Sequence, residues 1–145
     1  MLTVYTARYA NPTLADSPLV KVGITRYAPK FPLRYALADT LYALAPSSAL
    51  LGAAKAGNHV LFDAGFARQL AALDPQAIVA ALTRLQGPAP GVVLLCYEHL
   101  AKPPGRCHRV AVAAWLRTVA RLDVHELPEP VPVAAAPTDQ QATLF

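Results

Sequence analysis

Apolar and polar residues alternate with two different periods along this chain. Residues 2–6, LTVYT, form a short β-rich run. Residues 19–25 read LVKVGIT, with Val20, Val22 and Ile24 alternating against Lys21 and Gly23, the period of a strand. Turn-forming residues fill positions 10–18 between them. From Tyr27 to Pro46 no period holds, and Pro29 and Pro32 exclude a long helix. The reading there is a loop over residues 26–34 and a short helical piece around 37–44. Ser47 or Ser48 caps a helix that runs through Lys55 and is ended by Gly57. Over residues 59–73, Leu61, Phe62, Phe66, Leu70 and Leu73 make one stripe at helical spacing. Asp74 followed by Pro75 opens another helix through Gln86. Residues 92–96, VVLLC, are apolar on both faces, as in a central parallel strand. A helix is predicted over 107–122, with Val110, Ala114, Leu116 (or Trp115) and Val119 inward, and a last short strand over 123–127. The order strand, helices, strand, helix, strand predicts a small three-layer α/β domain with a mostly parallel sheet.

Composition sharpens this picture. The chain is 54% hydrophobic and 15% charged, so most of it is expected to be packed rather than disordered. The longest apolar run, residues 91–97, falls far short of the roughly 20 residues of a membrane span. The start, MLTVYTARY, lacks the pattern of a secretory leader, so the expected location is the cytoplasm. One domain is read over residues 1–127, followed by a Pro/Ala-rich flexible tail over 128–145. The net charge of +4 is compatible with a polyanionic partner without demanding one.

The candidate chemistry lies in residues 92–116. A buried strand ends at Cys96, and a loop carrying Glu98, His99, Lys102 and Arg106 leads to a helix opening Cys107-His108-Arg109. Ligands of parallel α/β sheets bind beyond the carboxyl ends of the strands. A helix start presents free N–H groups to an anion, and Arg106 and Arg109 add charge there. The same field favours a thiolate at Cys107. Glu98 is read as a base or as the group that orients His108 or Arg109. The bland readings stand beside these: Cys96 as a small core residue, Cys107 as structural, and Arg109 as a plain ion-pair partner of Glu98. A phosphatase loop is excluded, because Lys102 and Ala113 stand where its arginine is needed. Zinc on Cys96, His99, Cys107 and His108 is set aside, since adjacent helical residues point about a third of a turn apart. No metal and no cofactor is expected.

These residues resemble a bacterial family, the domain-of-unknown-function 488 family. Cys96, Glu98, Pro103, Pro104, Gly105, Cys107, His108 and Arg109 match its strand-loop-helix element. VYTARYANP resembles its first strand and loop. VGITRYAPKF resembles its second strand and basic turn, through Arg26, Pro29 and Lys30, and LAPS at 44–47 also matches. The resemblance covers about residues 3–122 and implies a shared polar site, for nucleotides or nucleic acid.

Two functional expectations follow. One is an α/β protein acting on a nucleotide or nucleic acid, with Cys107, His108 and Glu98 as catalytic candidates and Arg26, Lys30, Arg106 and Arg109 as anion ligands. The strands ending at Cys96 and Thr25 are expected to be neighbours, which brings Arg26 to the Cys107 turn. The other is a non-catalytic accessory module. The segment QATLF is similar to the motif that docks on the bacterial sliding clamp, with Gln141, Leu144 and Phe145 matching.

Overall fold

The alternation at residues 20–24 and the apolar run at 92–96 become the middle of a sheet in the computed structural model, which describes residues 1–130. The strands are β1 (Val4–Arg8), β2 (Val20–Gly23), β3 (Asp39–Thr40), β4 (Val92–Cys96) and β5 (Val124–Glu126). They pair in the order β3-β2-β4-β1-β5, and every pair is parallel. Val92 faces Val4 on one side and Val20 on the other. All five β4 residues are buried, which is the physical reason its sequence carries no polar face.

Among the described residues there are four α-helices: α1 (Ser48–Lys55), α2 (His59–Ala71), α3 (Pro75–Gln86) and α4 (His108–Val119). The side chains of Ser47, Asn58 and Asp74 accept from the backbone N–H groups of Leu50, Leu61 and Gln76, closing the starts of α1, α2 and α3. Gly57, with φ +77°, turns the chain out of α1.

The helices cover one face of the sheet, where Val4, Val22, Val92 and Leu94 meet Phe66, Leu70, Leu82, Val112 and Leu116. The other face, Ala7, Val93 and Leu95, is covered by Leu14, Leu33, Tyr35 and Leu37 from segments that form no α-helix. The third layer is thus loop and a 3-10 turn at Leu14–Asp16. Behind it, Tyr9 hydrogen-bonds Thr25 side chain to side chain at 2.7 Å, and the Tyr35 hydroxyl donates to the Tyr9 carbonyl at 2.8 Å.

Two sequence expectations change. Residues 37–44 form no helix: Asp39–Thr40 is an edge strand on β2, followed by a 3-10 turn at Tyr42–Leu44. Backbone bonds from Ala38 to Lys21 and from Leu41 to Gly23, both 2.8 Å, hold a strand too short to show a period. The inward face of α4 is Arg109, Val112, Ala113 and Leu116, whereas Val110 and Val119 are about half exposed. A buried arginine occupies a core position there, so an apolar stripe drawn through α4 is turned away from the true one.

Residues 127–129, just beyond β5, are tied to the sheet. Leu127 donates its N–H to the Thr6 carbonyl, and Glu129 accepts two hydrogen bonds from Arg8 at 2.6 and 2.8 Å. Among the described residues, no helix is long and apolar enough to cross a membrane.

Candidate functional site

Cys96 closes β4 and shares the alternation of Val92 and Leu94, so its side chain points into the helical layer. Cys107 is the N-cap of α4, with an extended backbone at φ −154° and ψ 142°. The two cysteines are joined as a disulfide, with Cα atoms 7.1 Å apart. The Glu98 carboxylate lies 3.6 Å from the Cys96 sulfur. Desolvation raises the Glu98 carboxyl above its ordinary range, while its own backbone amide and the charge of Arg109 pull it back.

His108, the first residue of α4, is fixed from three sides. Its Nε2 bonds the Ile24 carbonyl just beyond β2, its Nδ1 lies 3.2 Å from Cys96 Sγ, and Phe66 meets the ring edge-on at 5.6 Å. A carbonyl only accepts, so Nε2 carries the hydrogen and the Nδ1 lone pair faces the cysteine sulfur. Burial pushes the imidazole pKa down to about 4; the Ile24 contact opposes this and the charge of Arg109 adds to it. The ring is neutral at pH 7.

Glu98, Cys107 and His108, but not the fully buried Cys96, line a cleft of about 710 Å³ between α2 and α4. Phe62, Phe66 and Trp115 give it apolar aromatic walls, and Glu98, Cys107 and His108 line its other end. Asp63 and Arg106 form an ion pair among the lining residues, joining α2 to the loop before α4. That loop turns at Gly105, whose φ of +68° would strain any side chain and where a Cβ would stand 3.0 Å from the Leu100 carbonyl.

The catalytic candidates Cys107, His108 and Glu98 are therefore brought together, with Cys96 among them. The four cations are not. Arg109 is 1% exposed, and its guanidinium holds the Glu126 carboxylate at 2.8–3.1 Å and the Glu98 carbonyl at 2.7 Å. It ties α4 to β5. Arg26 lies at the same end of the sheet as Cys96, but its guanidinium donates to the carbonyls of Pro46 and Ala45 at 3.1 and 3.2 Å and lies over the Tyr42 ring. Arg106 is paired with Asp63. Lys30 is exposed and outside the cleft lining. The clamp-motif residues Gln141, Leu144 and Phe145 lie outside the described residues.

Sequence reasoning did not find the roles of Phe66, Trp115, Glu126 or Asp63, which only packing reveals. The geometric objection to a metal also falls. Cys107 is extended rather than helical, so it and His108 turn to the same point; the ligand atoms of Cys96, Cys107 and His108 lie within 4.8 Å of one another.

An all-parallel α/β domain with a cysteine-pair and histidine site at the carboxyl ends of its central strands is the class that this fold and cleft define. The chain belongs to the domain-of-unknown-function 488 family: residues 4–120 match the family model DUF488-N3a, described as the active DUF488-N3 subclade. No curated protein and no solved structure matches it.

Proposed function

We propose that the protein binds a nucleotide, or a base presented by nucleic acid, in the cleft between α2 and α4 and acts on it at the Cys96–Cys107–His108 end. The cleft carries this reading. Its 710 Å³ falls within the roughly 300–1,000 Å³ of small-molecule sites. Phe62, Phe66 and Trp115 offer aromatic surface to a flat ring, and Glu98 and His108 supply polar groups at one end. Exposed Lys102, in the loop above, is available to a phosphate outside the cleft. The reading places the protein in the cytoplasm, where thiols are kept reduced.

The only tryptophan of the chain lines the cleft, so it reports on occupancy. Titration with nucleosides, nucleotides and short oligonucleotides should change Trp115 fluorescence saturably. Ala114→Phe, which fills the cleft from an exposed position of α4, should abolish the change. Trp115 emission indifferent to every one of these compounds would sink the reading.

The accessory-module alternative rests on the segment QATLF. A peptide of that sequence should bind a bacterial sliding clamp in the micromolar range, about −7 to −8 kcal/mol. Alanine at both Leu144 and Phe145 should remove that binding; a peptide that never binds dismisses the alternative.

A further inference from the structure

We propose that Cys96, Cys107 and His108, with the cysteines reduced, form a zinc(II) site at the polar end of the cleft. Their ligand atoms lie within 4.8 Å of one another, the spread expected of donors around one ion. Two thiolates and an imidazole suit zinc, and the same three-ligand set leaves a fourth position for water or a bound ligand. The Glu98 carboxylate, 3.6 Å from Cys96 Sγ, is the nearest further oxygen donor.

Two observations beyond the cluster point to a metal. The first is the environment of His108. Histidines that ligate a metal through one nitrogen ordinarily donate the other N–H to a carbonyl or carboxylate, which fixes tautomer and ring angle. Here Nε2 is held by the Ile24 carbonyl, and Nδ1 is left facing the Cys96 sulfur. Phe66 packs edge-on against the ring. The second is the backbone spacing. The Cα atoms of Cys96 and Cys107 stand 7.1 Å apart, beyond the roughly 4.4–6.8 Å usual for a disulfide. An ion between the sulfurs, about 2.3 Å from each, spans that gap with the backbone where it is. The sequence supplies the rigidity: Cys96 ends a fully buried strand, and Cys107 is the extended cap of a helix bolted to β5 through Arg109.

A two-electron reductant, a phosphine in the test, converts the disulfide to two thiols and is itself oxidised. Each thiol then gives its proton to water as its sulfur binds the ion. The proposal deepens the reading of this end of the cleft as the reacting end and rests on it. The two fail separately, because metal binding is read from thiolate absorption and nucleotide binding from Trp115.

The test uses the full chain, reduced with a phosphine and titrated with cobalt(II) under anaerobic conditions. The expected result is one cobalt per chain, with thiolate-to-metal charge-transfer bands and the strong visible bands of tetrahedral cobalt, all bleached by stoichiometric zinc. Zinc should also raise the melting temperature of the reduced protein. Cys107→Ser, at a half-buried helix cap, should keep the fold while weakening zinc more than about 100-fold, beyond the 10–100-fold loss typical of outer-shell changes. His108→Ala should do the same, and His99→Ala should not. Reduced protein that stays colourless with cobalt overturns the proposal. So do bands that persist in Cys107→Ser, or bands that depend on His99.

Discussion

Arg109 shows how a residue suited to one role is committed to another. Its guanidinium is buried, while Glu126, its partner, is partly open to water with 38% of its side chain exposed. The asymmetry decides which partner is worse to lose. Glu126→Ala leaves a buried cation without its carboxylate and should cost about 3–5 kcal/mol. Arg109→Met leaves a carboxylate that water can reach and should cost less, about 1–3 kcal/mol. Urea denaturation of the two variants gives the order directly; the reverse order would mean that Glu126 contributes little to holding α4. The sequence carried half of this residue. Arg109 stands beside His108 at a helix start, which marks the site, but Glu126 is 17 residues away and only the β5 pairing delivers it. For Cys107 and His108 the local sequence marked the helix start at which they stand. It misjudged their relative direction because a helix boundary one residue earlier or later changes where a side chain points.

Elements were legible where capping or burial wrote them locally. Ser47 and Asp74 mark helix starts, and VVLLC marks the central strand. β3 was not legible, because two residues at a sheet edge are held by backbone bonds to β2 rather than by a side-chain pattern. The join between α1 and α2 is a further case. Gly65 is buried in α2, and a Cβ there would collide with the end of the Leu50 side chain from α1. Gly65→Ala should be tolerated within about 1 kcal/mol, since Leu50 can turn aside and alanine favours the helix. Gly65→Leu should overpack the contact and cost about 1–3 kcal/mol. Thermal melts of both variants, compared with Leu50→Ala,Gly65→Leu, check the assignment: the double variant should recover much of the loss.

At the scale of the molecule, the distribution of charge bears on the nucleic-acid reading. Arg26 and Arg109 are engaged by protein groups, and Arg106 by Asp63. Of the other basic residues expected near the site, Lys30, Arg34 and Lys102 are exposed, with Lys30 and Arg34 outside the cleft lining. Three phosphate contacts predict a log–log salt slope of about −2 to −3 for oligonucleotide binding. Filter binding or anisotropy across salt concentrations measures it. A slope beyond about −5 would require a phosphate track other than these three residues. The parallel sheet was legible because strands alternate with helices, but the loop-built third layer was not, since Tyr9, Thr25 and Tyr35 are distant in sequence and follow no local pattern.

The strand order has a consequence for how the molecule is made. β1 and β2 come first from the ribosome yet never pair with each other; β4 stands between them. Until residue 92 is synthesised, each has an open edge and no partner on the side it will finally share, so the first three helices leave the ribosome before the central strand. Nascent chains of this length expose unpaired strand edges and the apolar face of α2 and α3 together. A ribosome-bound chain stalled after Gln86 should therefore be protease-sensitive throughout. One stalled far enough past Leu127 for β4 and β5 to clear the exit tunnel should become resistant in a single step, with no partly protected stage between.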